Sequence, residues 1–356
     1  MPAYVSRPAI ALPGHAISRS QLIDGLAEEL RVDDPGLTDE ERKAAVRALA
    51  VSTRHIDNSG VETVHWTATY EEALEPVGVA ERAGSAFASA VDLALRAARQ
   101  ALAAANLEPW DIDAIVTSHT SSWTVPSLDV HLVNALGLRP TVSRFPIATA
   151  ACAAGAQALI HASRYLTAHP GRKVLIAIGE ELHTIHHRGE TSVEHVIYRS
   201  LFSDGGAACI VSSEPLGPGL AIDDTLELVL PNSTDRYWGR IDEHGLHFDS
   251  TRKAATAAKD VLPYIQEWIG DRQPEWCAVH PGGPGIIADT VAGIGLDPEK
   301  HGRHSYASLR HGNLGGGAVL DVLRRTHTDP PAVGSPGVLA GFGPGFTVAC
   351  VRGTWV

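Results

Sequence analysis

The side chain best placed for covalent chemistry is Cys152. It follows the apolar run SRFPIATAA and precedes the small residues at 153–155, where a predicted strand meets a predicted helix. The N-terminus of a helix presents free backbone N–H groups and partial positive charge, and both favour a thiolate. Because a thiolate is the reactive form, Cys152 is a candidate acyl carrier. Its position alone is equally consistent with a packed structural cysteine.

Two further polar residues stand beside glycine-rich turns. His280 follows the strand-like run EWCAV and opens the turn PGGP, which would hold an imidazole at the rim of a sheet. An imidazole there can pair with a thiolate or donate a hydrogen bond, or it can simply cap the turn. Asn313 precedes the segment LGGG, where its amide can stabilise an oxyanion or serve as a helix N-cap.

Together these three side chains supply what a decarboxylative condensation needs. A thiolate takes an acyl group from a thioester, and loss of CO2 from a malonyl thioester generates an enolate. Neutral hydrogen-bond donors, here an imidazole and an amide, stabilise the oxyanion of that enolate, and its carbon attacks the acyl-cysteine. Because the three residues are far apart in the chain, the fold must bring them together.

Alternating strand-like and helical segments are expected to position them. Strands are predicted in DIDAIVTSH, SRFPIATAAC, KVLIAIGEE and GGAACIVSS, and later in LAIDDTLELVL, EWCAVHPGG and GVLAGFGPGFTVACVRGTW. Helices are predicted at 85–106 and in TVPSLDVHLVNALGL, CAAGAQALIHASRYLTA, TRKAATAAKDVLPYIQEWIG and GNLGGGAVLDVLRRTH. This alternation predicts an α/β fold in two halves, residues 1–215 with the cysteine and residues 216–356 with the histidine and asparagine.

Composition limits the range of partners. The 356-residue chain has a formal net charge of −12, which argues against nucleic acid or an anionic membrane as the main partner. It shows no signal-peptide pattern and no run of about 20 apolar residues, so a cytoplasmic location is expected. Cys209, Cys277 and Cys350 lie in apolar runs without CxxC spacing and are predicted to be buried core residues.

Six short motifs, taken in order, resemble those of the type III polyketide synthases, the chalcone-synthase-like branch of the thiolase superfamily. They are ACAAG at 151–155, LFSDG at 201–205, GLHF at 245–248, HPGGP at 280–284, GN at 312–313 and GFGPG at 341–345. The resemblance runs from about residue 85 to the end of the sequence and is weaker before that. It implies a thiolase fold, with duplicated αβαβα layers and mixed sheets, and a homodimer.

Matched by position, the resemblance assigns Cys152, His280 and Asn313 to the family's catalytic triad. Phe202 and Phe248 match two gatekeeper aromatics that separate a coenzyme A tunnel from the condensation cavity. Ordinary core packing is the alternative for both phenylalanines.

The resemblance also implies the substrates and their contacts. Gly343 and Pro344 lie in the loop that scaffolds the active site, and Val125 falls where a side chain crosses the dimer interface into the partner's cavity. Arg47 and Arg54 are candidates to bind coenzyme A phosphates, although a solvated helix face is the alternative. An acyl-CoA or acyl-carrier-protein starter is expected, with malonyl-CoA or a substituted malonyl-CoA as extender and no further cofactor.

The motifs leave several activities open. Residues 119–122 and 183–187 differ from the cavity-lining threonines of the plant enzymes, and residues 313–327 resemble germicidin and other alkylpyrone synthases. A pyrone or small aromatic ring is therefore the implied product. The alternatives are a tetrahydroxynaphthalene-type synthase that uses malonyl-CoA alone, a ketoacyl-synthase-III-like condensing or acyl-transfer enzyme, and a silent thiolase-fold subunit. HPGGP and GFGPG argue against the ketoacyl synthase, and the intact triad argues against the silent subunit.

One histidine cluster has the spacing of metal ligands. His183, His186 and His187 can meet on a helix face, with Glu180 and Glu181 nearby. Because no carboxylate or cysteine completes a convincing set, the sequence favours cavity lining or surface for these histidines, and no metal site is expected.

Overall fold

In the computed structural model, residues 2–356 are described, apart from the side chain of residue 255. The strands are β1 (Ala3–Val5), β2 (Ala9–Ala11), β3 (His15–Ser18), β4 (Thr63–Trp66), β5 (Ala114–His119), β6 (Ser143–Ala148), β7 (Lys173–Glu180), β8 (Gly205–Ser212), β9 (Leu220–Val229), β10 (Tyr237–Asp242), β11 (Gly245–Ser250), β12 (Trp276–Val279), β13 (Pro336–Gly343) and β14 (Thr347–Trp355). The α-helices are α1 (Arg19–Glu29), α2 (Asp39–Asn58), α3 (Tyr70–Ala73), α4 (Val79–Ala104), α5 (Leu128–Leu136), α6 (Ala154–Ala168), α7 (Val193–Leu201), α8 (Ala257–Ile269), α9 (Pro284–Gly293), α10 (Pro298–His301), α11 (Arg303–Leu309) and α12 (Ala318–Thr326).

Ten of these strands form one mixed sheet. The order across it is β12-β13-β14-β9-β1-β8-β7-β5-β6, with β2 also pairing with β8. Strand β5 runs parallel to β6 and β7, and β12 runs parallel to β13, whereas the other pairs in this sheet are antiparallel. The short strand β1 joins the two halves of the sheet. Strands β10 and β11 form a separate hairpin outside it.

Successive residues of each strand face different layers. Val116 of β5 packs in a central layer with α6 and α12, while its neighbour Ile115 packs against α4 and α5. In the other half, Leu339 of β13 faces the same central layer, while Val338 packs with α8 and α9. Three helical layers therefore alternate with two sheet halves, which confirms the predicted αβαβα fold class.

The predicted elements are present, with shifted boundaries. Helix α4 begins at Val79, before the predicted start at residue 85. Helices α6 and α12 each begin after a short 3₁₀ turn, at Ala151–Ala153 and Gly315–Gly317. These turns consist of small residues, and they place the ends of both central helices close to each other: a Cβ built on Gly155 of α6 would lie 2.5 Å from the Gly316 carbonyl oxygen.

The other three cysteines are buried, as predicted. Cys209 lies in β8, Cys277 in β12 and Cys350 in β14. Within residues 2–356, no helix is both long enough and apolar enough to cross a membrane.

Glycines in β7 and β8 allow helix α4 to lie directly on the sheet. A Cβ added to Gly206 would lie 2.0 Å from the carbonyl oxygen of Leu93, and one added to Gly179 would lie 2.0 Å from that of Ala90. Both obstacles are backbone atoms of a long buried helix, so a side chain there could be accommodated only by moving the helix. Strand β7 ends at Glu180, and β8 begins directly after Asp204. The distance between α4 and these two strands therefore also affects the position of the site described below.

Gly206→Ala is therefore expected to lower the free energy of unfolding by about 3 kcal/mol, because the new methyl group overpacks the contact between α4 and β8. Urea denaturation followed by circular dichroism measures the change. Gly84→Ala is the matched control, since Gly84 is exposed in the same helix and a Cβ there meets nothing within 4 Å. The control is expected to be neutral or to stabilise the protein by up to about 1 kcal/mol. Equal stability of the two variants would contradict the packing argument.

Candidate active site

Cys152 is presented to a cavity by a strained turn between β6 and α6. Thr149 and Ala151 have left-handed φ angles of 60° and 45°. Such angles cost non-glycine residues roughly 1–3 kcal/mol each and persist only where the surrounding structure enforces them. The turn places Cys152 in the middle of the 3₁₀ segment at the cavity wall, two residues before α6 begins at Ala154.

Backbone hydrogen bonds fix the other two predicted site residues. His280 directly follows β12, and its N–H donates to the Ala340 carbonyl oxygen of β13 at 2.8 Å. The N–H of Asn313 donates to the carbonyl oxygen of Leu201 at 2.7 Å, and the Asn313 carbonyl oxygen accepts from the N–H of Ser203 at 3.0 Å. Asn313 is thus held against the segment that follows α7, and both side chains are buried.

The Asn313 amide connects the three side chains. Its Nδ2 lies 3.7 Å from Cys152 Sγ and 3.4 Å from His280 Nε2. Its Oδ1 accepts a hydrogen bond from the N–H of Gly315 at 3.0 Å, and this bond keeps the NH2 end directed at the thiol and the imidazole. Asn313 is not the N-cap of α12, because Gly317 occupies that position. The structure therefore brings Cys152, His280 and Asn313 together, as the sequence predicts.

Burial keeps both reactive groups neutral in the substrate-free site. Desolvation and, to a smaller extent, the nearby Glu180 carboxylate raise the pKa of the Cys152 thiol to about 12, against the lowering effect of the Asn313 hydrogen bond. Desolvation lowers the pKa of His280 to about 4. The helix N-terminus favours a thiolate, as the sequence analysis states, but the loss of solvation outweighs the partial charge of the helix end. The geometry instead provides a thiol next to a neutral imidazole.

A buried carboxyl group, Glu180, lies behind the nucleophile. Its Oε2 accepts from the N–H of Thr120 at 3.0 Å, and its Oε1 accepts from the Thr120 hydroxyl at 3.0 Å and from the N–H of Gly316 at 3.3 Å. Desolvation nevertheless raises the pKa of Glu180 to about 7, because the three hydrogen bonds offset only part of the cost of burial. Glu180 therefore changes its charge near neutral pH, close to Cys152.

Glu180→Gln is expected to remove a pH-dependent part of the stability. Because the pKa of Glu180 is raised from 4.5 to about 7 on folding, its contribution is fully present below pH 4.5 and is lost as pH rises through about 7. Relative to the variant, the natural protein should lose roughly 2–3 kcal/mol of unfolding free energy between about pH 5 and about pH 8. Urea denaturation at both pH values measures this loss. The same change in unfolding free energy with pH in both proteins would rule out the raised pKa of Glu180. The variant also loses the hydrogen bond donated by the N–H of Thr120, and this loss lowers its unfolding free energy by a similar amount at both pH values.

The cavity in front of the three side chains is mainly aromatic and aliphatic. Phe202 and Phe248 meet across it, with ring centroids 6.2 Å apart and planes at 63°. Gly343 and Pro344 also lie in its wall, as the resemblance implies. The lining residues are Ala151, Cys152, Tyr198, Leu201, Phe202, Tyr237, Trp238, Phe248, His280, Gly282, Ile286, Asn313, Phe342, Gly343, Pro344 and Phe346.

Three predicted contact residues lie outside this cavity lining. Val125 is 92% exposed in the segment between β5 and α5. Arg47 and Arg54 are exposed on α2. Within the described chain none of the three lines the cavity, so their expected roles toward a partner subunit and coenzyme A stay predictions.

The sequence analysis named Glu180 only as a neighbour of the histidine cluster and did not connect it with Cys152. It missed the aromatic lining contributed by Tyr198, Tyr237 and Trp238. Two adjacent carboxylates at the end of the buried run KVLIAIGEE were a signal for Glu180, since a charged residue in such a run needs special partners. Tyr198 lies on α7, one helical turn before Phe202, which directly follows the helix. Tyr237 and Trp238 reach the site because β10 pairs with β11, which carries Phe248.

The three neighbouring histidines do not converge. His183 Nδ1 lies 2.7 Å from a carboxylate oxygen of Asp204. His186 is buried with its ring 5.4 Å from that of Trp66. His187 turns toward the β10–β11 hairpin, where its Nε2 donates to the Leu246 carbonyl oxygen. The structure thus sends them to three separate surroundings.

Comparisons with known proteins agree with this geometry. The family model described as "Chalcone and stilbene synthases, N-terminal domain" matches residues 3–215, and the corresponding C-terminal model matches residues 221–352. A 1,3,6,8-tetrahydroxynaphthalene synthase from Streptomyces griseus is 31% identical over 360 residues, covering 99% of this chain and 93% of that protein.

Two solved structures are similar over the full length. The 1,3,6,8-tetrahydroxynaphthalene synthase from Streptomyces coelicolor A3(2) superposes with a TM-score of 0.90 at 28% identity, covering 99% of both chains. The germicidin synthase from Streptomyces coelicolor gives a TM-score of 0.89 at 26% identity, covering 100% of both chains. The chain therefore belongs to the chalcone and stilbene synthase family, and it is a type III polyketide synthase.

Proposed function

We propose that this synthase condenses malonyl-CoA-derived units onto an acyl starter held by Cys152 and releases a pyrone or a small aromatic ring. The observation that carries the proposal is the shared amide: Asn313 Nδ2 faces both Cys152 Sγ and His280 Nε2 at the wall of an apolar cavity. An apolar cavity with a few convergent polar groups suits an acyl chain whose reacting end needs hydrogen bonds.

The loading step transfers the starter from its thioester to Cys152. His280 Nε2 takes the proton of the thiol, and the thiolate attacks the acyl carbonyl. The bond from the carbonyl carbon to the sulfur of coenzyme A breaks, and the departing thiolate takes the proton back from His280. The lowered pKa of His280 keeps its ring neutral, so a ring nitrogen is available to accept the proton, and the transfer proceeds because attack on the acyl carbonyl consumes the thiolate.

The extension step starts with the loss of CO2 from malonyl-CoA. The electron pair of the broken carbon–carbon bond forms an enolate, and its oxygen accepts a hydrogen bond from Asn313 Nδ2. A second hydrogen bond comes from His280 after its neutral ring has lost the Nδ1 proton to solvent and gained one on Nε2. The enolate carbon attacks the acyl carbonyl on Cys152, and the cysteine leaves as a thiolate. That thiolate is ready to take the lengthened chain from coenzyme A, so further rounds need no new proton transfer.

The remaining assignments concern substrate access and assembly. Phe202 and Phe248 would separate the coenzyme A tunnel from the cavity, and Arg47 and Arg54 would bind phosphates of the thioester carrier. The starter would arrive on coenzyme A or on an acyl-carrier protein, and the reaction needs no further cofactor. We also propose that the chain forms a homodimer, in which the exposed Val125 packs into the partner's cavity. The two halves, residues 1–215 and 216–356, would each form one thiolase-like unit.

Incubation with malonyl-CoA and a panel of acyl thioesters, with mass-spectrometric detection of products, tests the proposal. An acyl-primed pyrone or resorcinol-like product is expected, and no product from any starter would overturn it. Because a tetrahydroxynaphthalene synthase and a germicidin synthase are almost equally similar to this chain, a malonyl-CoA-only synthase is the second candidate. A product formed from malonyl-CoA alone, unchanged by added starters, would select that candidate.

A further inference from the structure

A second cluster of polar side chains lies beside the gate formed by Phe202 and Phe248. It contains His187 and Glu190, from the segment before α7, and His247 of β11. Ligand atoms of these three residues all lie within 4.8 Å of one another. His187 and His247 are buried and Glu190 is partly buried, so the set is enclosed within the fold.

Hydrogen bonds already orient both imidazoles. His187 Nε2 donates to the Leu246 carbonyl oxygen at 3.0 Å, which places the hydrogen on Nε2 and leaves Nδ1 with a lone pair. His247 Nε2 lies 2.9 Å from Asp242 Oδ1, and its Nδ1 lies 2.9 Å from Glu190 Oε1. Metal-bound histidines nearly always donate the second ring N–H to a carboxylate or a carbonyl oxygen, and both histidines have such a partner here.

The surrounding charge favours a cation. Glu190, Asp242 and Asp249 supply three carboxylates, and Arg240 supplies one guanidinium, 2.8 Å from Asp242, 3.1 Å from Asp249 and 3.7 Å from Glu190. Within the described residues, Glu190 Oε2 is buried and has no hydrogen-bond partner, and His195 Nε2 lies 3.4 Å from it without forming a hydrogen bond. A buried carboxylate oxygen without a partner is costly, and an ion bound to it would remove that cost.

Two more guanidinium groups lie on the other sides of the cluster. Arg199 of α7 donates to the carbonyl oxygens of His187 at 3.3 Å and Glu190 at 3.4 Å, and it pairs with the Glu29 carboxylate. Arg82 approaches His187 from α4 and donates to the His244 carbonyl oxygen at 3.0 Å, to the Glu75 carbonyl oxygen at 2.9 Å and to that of Thr184 at 3.4 Å. Carbonyl oxygens and Glu29 hold the guanidinium groups of Arg82 and Arg199, so within the described residues neither forms a salt bridge with the Glu190 carboxylate.

We propose that His187, Glu190 and His247 bind a divalent first-row transition metal ion of the Zn²⁺ class. Two imidazoles and one carboxylate are a ligand set that zinc accepts, with water in the fourth position. The ion would sit between Glu190 and His247 Nδ1 and would replace their direct hydrogen bond. The His187 and His247 rings stack with centroids 3.8 Å apart and planes at 19°, so the His187 ring would have to turn to direct its lone pair at the same ion. This site goes beyond the proposed condensation chemistry, because none of its three ligands lines the substrate cavity in the described chain.

The site would fix the position of the gate. His247 and Phe248 are consecutive on β11, so their side chains point to opposite faces of the hairpin. Glu190 lies three residues before α7 begins at Val193, and α7 ends at Leu201 next to Phe202. A metal ion bound by His247 and Glu190 would therefore clamp the strand that carries one gate residue to the helix that leads to the other.

Calorimetric titration of the metal-free, full-length protein with ZnCl2 tests the binding. One Zn²⁺ per chain is expected, with a Kd of about 1 μM or tighter. Glu190→Gln, nearly isosteric and able to accept a hydrogen bond, should weaken binding about 10- to 100-fold, and His247→Asn should abolish it. His55→Asn is the matched control, because His55 is exposed on α2. No saturable binding, or equal binding by all variants, would overturn the site.

A second readout keeps the test informative where a variant folds poorly. Added Zn²⁺ should slow hydrogen exchange over residues 237–250 in the natural protein but not in Glu190→Gln. Binding without slower exchange would overturn the proposed clamp. Neither measurement uses polyketide formation, so an inactive protein that binds Zn²⁺ would contradict the proposed function and leave the metal site standing.

Discussion

Cys152→Ala is expected to reduce polyketide formation by more than about 10³-fold while the fold is retained. Every round of the proposed reaction passes through a thioester on this sulfur, and no other group takes over when a covalent nucleophile is removed. The side chain faces the cavity, so its loss leaves the packed layers intact. Product formation from malonyl-CoA and the accepted starter is measured by mass spectrometry, together with thermal unfolding.

Cys209→Ala provides the control for this prediction. Cys209 is fully buried in β8 and packs in the central layer, away from the cavity. Its replacement should cost about 1 kcal/mol of stability and leave activity nearly unchanged. Intact-protein mass spectrometry after incubation with a starter thioester should show an acyl adduct in the control and none in Cys152→Ala. Full product formation by Cys152→Ala would show that Cys152 is not the nucleophile and would contradict the proposal.

Asn313→Asp is expected to slow decarboxylation of malonyl-CoA by about 10²- to 10³-fold and to slow acyl loading much less. The aspartate can still accept the hydrogen bond from Gly315, so the backbone turn should persist. It replaces the NH2 group that faces Cys152 and His280 with a carboxylate oxygen, which repels the developing enolate instead of stabilising it. Release of CO2 and formation of the acyl-cysteine adduct, measured separately, distinguish the two steps.

Asn134→Asp introduces the same chemical change at an exposed position on α5 and should alter neither step. Substitution of His280 should reduce both steps, because in the proposed mechanism its ring takes the proton of the thiol during loading and donates to the enolate oxygen during extension. Equal losses in loading and decarboxylation for Asn313→Asp would contradict the oxyanion role, because they would indicate a general distortion of the site.

Local patterns in the sequence were sufficient for most of the fold. Buried strands such as β5, β7 and β8 are short apolar runs. Each can be recognised as a strand from the composition of its own few residues. The helix starts were less predictable: α6 and α12 begin after 3₁₀ turns because their first residues pack against each other across the centre of the molecule. That contact joins residues about 160 positions apart, and no local pattern contains it.

By itself, the sequence determined the family and the three residues of the candidate site, because motifs such as ACAAG and HPGGP are local and occur in a specific order. Only the tertiary structure decided their charge states. Burial of Cys152 and His280 depends on surrounding atoms from both halves of the chain, and it outweighs the preference of the helix end for a thiolate. The tertiary structure also decided the surroundings of the histidines. The ring of His187 stacks on that of His247, 60 positions later, rather than on a neighbouring histidine. Desolvation and long-range contacts are properties of the packed molecule, so the sequence alone did not reveal them.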